Sequence, residues 1–138
     1  MNNLNGSDNE IIDLNQKMLD SVAKGDWDTY RQYCHADMTC FEAETAGHLV
    51  EGMDFHRFYF GDPEAGGSAM EQKPAPAKVT VTMARPHLRW LGHDAAVISY
   101  TRLTQRSCGG EATTSTCCET RVWQRREKAW ALVHTHRS

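Results

Sequence analysis

Residues 95–137 read AAVISYTRLTQRSCGGEATTSTCCETRVWQRREKAWALVHTHR, and this stretch decides the fold. Two turn signals, Gly109-Gly110 and Glu127-Lys128, cut it into three runs. The first, 95–107, holds Val97, Ile98, Tyr100 and Leu103. The second, 112–126, is rich in threonine and ends in TRVWQRR. The third, 129–136, holds Trp130, Leu132 and Val133. β-Branched and aromatic residues between short turns are the pattern of strands joined by hairpins. Upstream, His93-Asp94 sets off a fourth run, 78–92, with Val79, Val81, Met83, Leu88, Trp90 and Leu91. The pattern predicts a meander of four long antiparallel strands.

The amino-terminal half has a different period. Ile11, Ile12, Leu14, Met18, Leu19 and Val22 recur at helical spacing. Asp8 or Ser7 is the expected cap, and Gly25 the stop, with Lys24 in the last turn. Residues 1–9, MNNLNGSDN, are polar and read as a disordered leader. A second short helix is expected from Asp26 or Trp27 to about Cys34, with Trp27, Tyr30 and Tyr33 three residues apart. Residues 37–44 alternate as a strand, 45–47 turn, and 48–51 form a short strand. Residues 52–60, GMDFHRFYF, crowd aromatics into a short buried helix. Residues 61–77 are rich in Gly and Pro and are predicted to be a loop of low order, the most mobile internal segment. Helices first and strands later indicate one α+β domain over 10–138. A long curved sheet, mixed or antiparallel, folded around the first helix makes a cone with a pocket inside.

Composition narrows the function classes. The chain has 138 residues, 40% of them hydrophobic, and a formal charge of -3. That suits one folded core, and the lack of basic excess argues against nucleic acid as a partner. The apolar runs are too short for a membrane span. The five cysteines, Cys34, Cys40, Cys108, Cys117 and Cys118, are odd in number and irregularly spaced. They read as reduced structural residues in a cytoplasmic setting, with a zinc site the weaker alternative because no CxxC pair exists.

Three arginines carry the functional question. Arg102 shares strand parity with Tyr100 and Ile98, Arg121 with Trp123 and Glu119, and Arg137 with Val133 and Ala131. Alternation turns each toward apolar neighbours, and a buried guanidinium needs a carboxylate or a ligand anion. From parity alone they either pair with internal acids such as Glu42, Glu44 or Glu119, face a subunit interface, or together form an anion site. Arg85, Arg89, Arg106, Arg125 and Arg126 read as solvated. His56 is a core histidine or a pocket histidine titrating near neutrality. His134 and His136 alternate as a metal pair would, but no third ligand is placed, so no metal and no cofactor are expected. No nucleophile elbow, phosphate loop or dinucleotide fingerprint is present. A small enzyme moving a proton beside a carbonyl, of isomerase or cyclase type, would draw on Asp54, Glu42, Tyr59 and Tyr100. Inward arginines would weaken such a base by depressing its pKa.

The stretches MTCFEAETAGHLVEGMDFHRFYF (38–60), RPHLRWLGHDAAVISYTRLTQ (85–105) and ETRVWQRREKAWALVHTHRS (119–138), with GDWDTY at 25–30, carry a resemblance. The chain resembles the association, or hub, domain of calcium/calmodulin-dependent protein kinase II, in the nuclear transport factor 2-like superfamily, from about Glu10 to Ser138. The resemblance implies a long helix in the mouth of a strongly bent sheet, and self-assembly rather than catalysis. It implies a closed homo-oligomeric ring of about twelve to eighteen subunits, which kinase hubs or kinase-tethered chains could join. It also implies a pocket for small carboxylates lined by Arg102, Arg121, Arg137 and His56. The expectation is a hub read without its kinase domain, either excised from a longer chain or naturally stand-alone. The loop 61–77 departs from the family by its length and by lacking a tryptophan after the FYF segment.

Overall fold

Helix α1 (Gly6–Lys24) turns one stripe of side chains, Ile11, Asn15, Met18 and Leu19, completely out of solvent. The structure, a computed structural model, describes residues 6–57, 60 and 78–138. The helix begins inside the stretch expected to be a leader, so residues 6–9 are helical and Ser7 and Asp8 lie in the first turn rather than capping it. The cause is a tertiary anchor. Asp8 sits where the helix dipole favours an acid, and its carboxylate accepts from Trp90 Nε1 at 2.5 Å.

Gly25 ends α1 at φ 69, a conformation an L side chain resists. Asp26 then caps α2 (Trp27–Tyr33), accepting from Thr29 N at 3.2 Å. Strand β1 (Cys34–Phe41) follows with no linker. Cys34, expected at the end of the helix, therefore opens a strand that starts three residues earlier than 37 and stops at Phe41. Residues 43–45 form a 3-10 turn, β2 (Val50–Glu51) is short, and α3 (Asp54–Arg57) carries His56. Phe58, Tyr59 and the loop 61–77, whose mobility was predicted, lie outside the described residues.

The meander is β3 (Lys78–Trp90), β4 (Ala95–Cys108), β5 (Glu111–Arg126) and β6 (Ala129–Arg137), each antiparallel to the next. The sheet order is β2-β1-β6-β5-β4-β3, and β1 runs parallel to β6, so the sheet is mixed. Helix α1 covers one face. Trp123, fully buried, donates from Nε1 to Asn15 Oδ1 at 3.0 Å, and Gln16 Nε2 donates to Val81 O at 2.9 Å.

Two irregularities bend the sheet, as bulges do. In β3 the register with β4 shifts between Ala84 and His87, where Arg85 takes φ 54 next to Pro86. In β6 Trp123 pairs with Leu132 but Val122 pairs with His134, leaving Val133 as an extra residue. The second bulge breaks the parity that grouped Arg137 with Val133 and Ala131. Leu132 and Thr135 are the buried residues of β6, and Arg137 shares its face with Thr135.

Candidate functional site

Strand register assembles the inner face row by row. Tyr100, Glu119 and Arg137 are Cα partners across β4, β5 and β6, and Ile98, Arg121 and Thr135 form the next row. Arg102 lies two residues beyond Tyr100, opposite Cys117. Arg102, Arg121, Arg137 and His56 all line one cavity of about 280 Å³, together with Glu42 and Tyr30. The four residues expected to share a pocket thus line the same cavity, and so do Glu42 and Glu44, two of the internal acids of the alternative reading.

The deep end of the cavity has two guanidinium groups around one carboxylate. Arg102 Nη1 donates to Glu119 Oε2 at 2.7 Å, and Arg121 Nε stands 3.4 Å from Glu119 Oε1 without hydrogen-bond alignment. Tyr100 Oη donates to Glu119 Oε1. Burial pushes the Glu119 carboxyl up, but Arg121, Arg102 and the Tyr100 hydroxyl outweigh it and hold it at about 2. Burial pushes the Tyr100 phenol up to about 12. Arg121 is 3% exposed, and neither its Nε nor that of Arg102 has a hydrogen-bond partner among the described residues. Buried donors left open in this way are costly.

The outer end has the opposite stoichiometry. Arg137 Nε donates to Glu42 Oε2 at 2.5 Å, and its Nη2 to Glu44 Oε2 at 2.8 Å. Arg106, read as solvated, is exposed yet stands at the cavity edge. Its parity with Arg102 is the signal that could have placed it.

Of the two readings of His56 the core one fits its burial: the residue is 2% exposed, although it also lines the cavity. Burial, with the Arg121 charge behind it, lowers its pKa to about 4. Nδ1 lies 2.9 Å from Tyr30 Oη, while Nε2 has no partner among the described residues. Tyr30, which sequence reasoning read only as part of an aromatic stripe, packs on His56 and Phe60 at ring distances of 5.8 and 5.1 Å.

The residues considered for proton transfer are dispersed or spent. Asp54 is exposed and lies on a separate hollow with Met53 and Trp27. Glu42 is bound to Arg137, and Glu119 is too acidic to serve as a base near neutral pH. Tyr59 lies outside the described residues. All five cysteines are free, and burial pushes the Cys34 thiol up to about 12 and that of Cys40 to about 11. Among the described residues no cluster of three His, Cys, Asp or Glu is placed to hold a metal, and no helix is long and apolar enough to cross a membrane.

A bent mixed sheet closed by an amino-terminal helix, with polar side chains in its interior, defines the cone-shaped α+β fold of nuclear transport factor 2-like proteins. One such protein from Salmonella enterica superposes with a TM-score of 0.68 at 22% identity, covering 94% of this chain and 88% of that one. Within that fold the assignment is narrower. The family model of the calcium/calmodulin dependent protein kinase II association domain matches residues 7–138, and the chain belongs to that family. The hub homology domain from Chlamydomonas reinhardtii superposes with a TM-score of 0.85 at 41% identity, over 96% of this chain and 98% of that one. Calcium/calmodulin-dependent protein kinase type II of Caenorhabditis elegans is 39% identical over 137 residues, 99% of this chain but 18% of the kinase. The chain spans about a fifth of the length of the curated relatives it matches, from 18% to 23%.

Proposed function

We propose that this chain is a self-assembling hub: a homo-oligomeric scaffold that closes into a ring, works without catalysis, and takes small carboxylates into its arginine-lined cavity. The observation that carries the assembly reading is the association-domain match across 7–138. The surface supports it. On the sheet face turned away from α1, Val97 and Val122 sit opposite each other, and neither is buried within one protomer. Leu49 and Leu91 are 49% and 54% exposed. Apolar surface of this kind suits a permanent interface, which typically buries about 2,000 Å² or more. Kinase chains carrying the same domain are the natural candidates for mixed assemblies.

The cavity reading rests on the deep end, where, among the described residues, Arg102 and Arg121 share a single carboxylate and leave two guanidinium nitrogens unfilled. An anion there would complete charge-assisted hydrogen bonds that Glu119 leaves open. Native mass spectrometry at micromolar protein tests the assembly: a closed oligomer of more than about eight subunits is expected, and a monomer or plain dimer refutes it. Thermal unfolding in millimolar acetate at fixed ionic strength tests the cavity. Acetate should raise the melting temperature of wild type and not of Arg121→Ala.

A further inference from the structure

We propose that Tyr30 is a positioning residue. Its hydroxyl donates to Nδ1 of His56, fixes the Nε2–H tautomer, and so makes His56 a neutral hydrogen-bond donor for one oxygen of a carboxylate whose other oxygen faces Arg121. This rests on the cavity reading above and goes beyond it by assigning a proton to one atom.

The proton can be placed because the partners are few. Tyr30 Oη is 2.9 Å from Nδ1, and no other hydrogen bond from the described residues reaches the ring. The geometric partner of the phenol is Nδ1, and an imidazole nitrogen is a much stronger acceptor than a thiol sulfur. A phenol that donates to Nδ1 leaves the ring hydrogen on Nε2. That atom is buried and has no partner among the described residues, and His56 lines the cavity.

The alternative tautomer would put the Nε2 lone pair toward the cavity, where a guanidinium would be its natural donor. Among the described residues no arginine takes it: Nε2 has no partner there, Arg121 Nη1 points at Met18 Sδ, and Arg102 Nη1 is on Glu119. Two kinds of unfilled donor, imidazole N–H and guanidinium N–H, then converge on one space. The ligand that fits is an acceptor with two oxygens. A carboxamide or an ammonium would set donor against donor. Tyr30 itself is held by ring contacts with Trp27 at 6.2 Å and Phe60 at 5.1 Å, so its hydroxyl has little freedom to turn away.

The test combines a spectrum with a mutant cycle on the full chain. 15N spectra of histidine-labelled protein, with the His56 signals assigned by their loss in His56→Gln, should show Nε2 protonated and Nδ1 bare in wild type. Tyr30→Phe should give a tautomer mixture and weaken butyrate binding roughly three- to tenfold, the worth of one net hydrogen bond. In the His56→Gln background, where glutamine keeps a donor but loses the phenol link, Tyr30→Phe should have no further effect. A protonated Nδ1 in wild type overturns the proposal. So does an equal loss on Tyr30→Phe in both backgrounds, because the tyrosine would then act only through packing. If butyrate does not bind wild type at all, the cavity reading and the donor role fall together, whereas binding that ignores Tyr30 removes the donor role alone.

Discussion

Two ends of one cavity use the same two residue types in inverse proportion. At the deep end two guanidinium groups surround Glu119, whose side chain is 0% exposed; at the outer end Arg137 is gripped by Glu42 and Glu44, at 9% and 44%. The difference shows that burial, more than the number of ion pairs, decides what such a cluster is worth. A charge removed from water must be matched in place, and breaking a buried pair leaves the survivor stranded. Near the surface, water takes over most of what a lost partner supplied. A third pair outside the cavity, Arg125 with Asp94 at 42% and 70%, extends the series to the exposed limit.

The largest effect is therefore expected at Glu119. Glu119→Gln keeps the shape but leaves Arg102 and Arg121 without a charged partner, and should destabilise the fold by about 3–5 kcal/mol. Denaturant midpoints at matched protein concentration measure this, since assembly makes stability concentration-dependent. Acetate or chloride should restore part of the loss. A cost below about 1 kcal/mol would mean that the deep end behaves like a surface pair.

Acidification probes the same contrast with the native sequence. His56 has its pKa lowered to about 4, so its contribution is full above the ordinary value of 6.5 and is lost as pH falls toward 4. Glu119 is lowered from 4.5 to about 2, so its contribution is present above 4.5 and disappears as pH falls through 2. Each shift corresponds to roughly 3 kcal/mol at full displacement. Stability should fall in two stages. His56→Gln should flatten the stage between pH 6.5 and 4, and leave the lower one in place. A single transition following the carboxylates alone would show that His56 is not held neutral by burial.

These numbers depend on features that sequence reading reaches unevenly. The meander was legible because alternation and the pairs Gly109-Gly110 and Glu127-Lys128 are local signals, and β4, β5 and β6 lie where they predict. Arg102 and Arg121 were legible for the same reason. Arg137 reaches the cavity by a route that alternation hides, since the bulge at Val133 reverses the parity of everything before it. The parallel pairing of β1 with β6 has no local signature either, because it joins residues about a hundred positions apart. The start of α1 is set by Asp8 meeting Trp90, a contact across the fold. Most of all, no pattern along the chain states how many carboxylates each guanidinium will find, or that Tyr30 would lie against His56.

An intermediate effect is expected at the outer end. Glu42→Gln removes one of two acids on Arg137 and should cost about 1 kcal/mol, because solvent and Glu44 still reach the guanidinium. The same urea series reads it. A loss as large as that of Glu119→Gln would erase the distinction between the two ends.

The smallest effect separates charge from packing at the exposed pair. Arg125 Nε donates to Asp94 Oδ1 at 3.2 Å and Nη2 to His93 O at 3.1 Å, while its guanidinium lies 5.1 Å above the Trp130 ring. Asp94→Asn removes only the ion pair and should change stability by less than about 0.5 kcal/mol. Arg125→Ala removes the carbonyl bond, the ring contact and the stem that covers Trp130, and should cost about 1 kcal/mol. Salt distinguishes the two causes. The Asp94 effect should vanish in 1 M salt, where screening reaches about 3 Å, while most of the Arg125 effect should persist because contact with an aromatic face is short-ranged. Equal and salt-sensitive losses for both variants would instead make this pair an electrostatic element like those inside the cavity, and burial would no longer order the three.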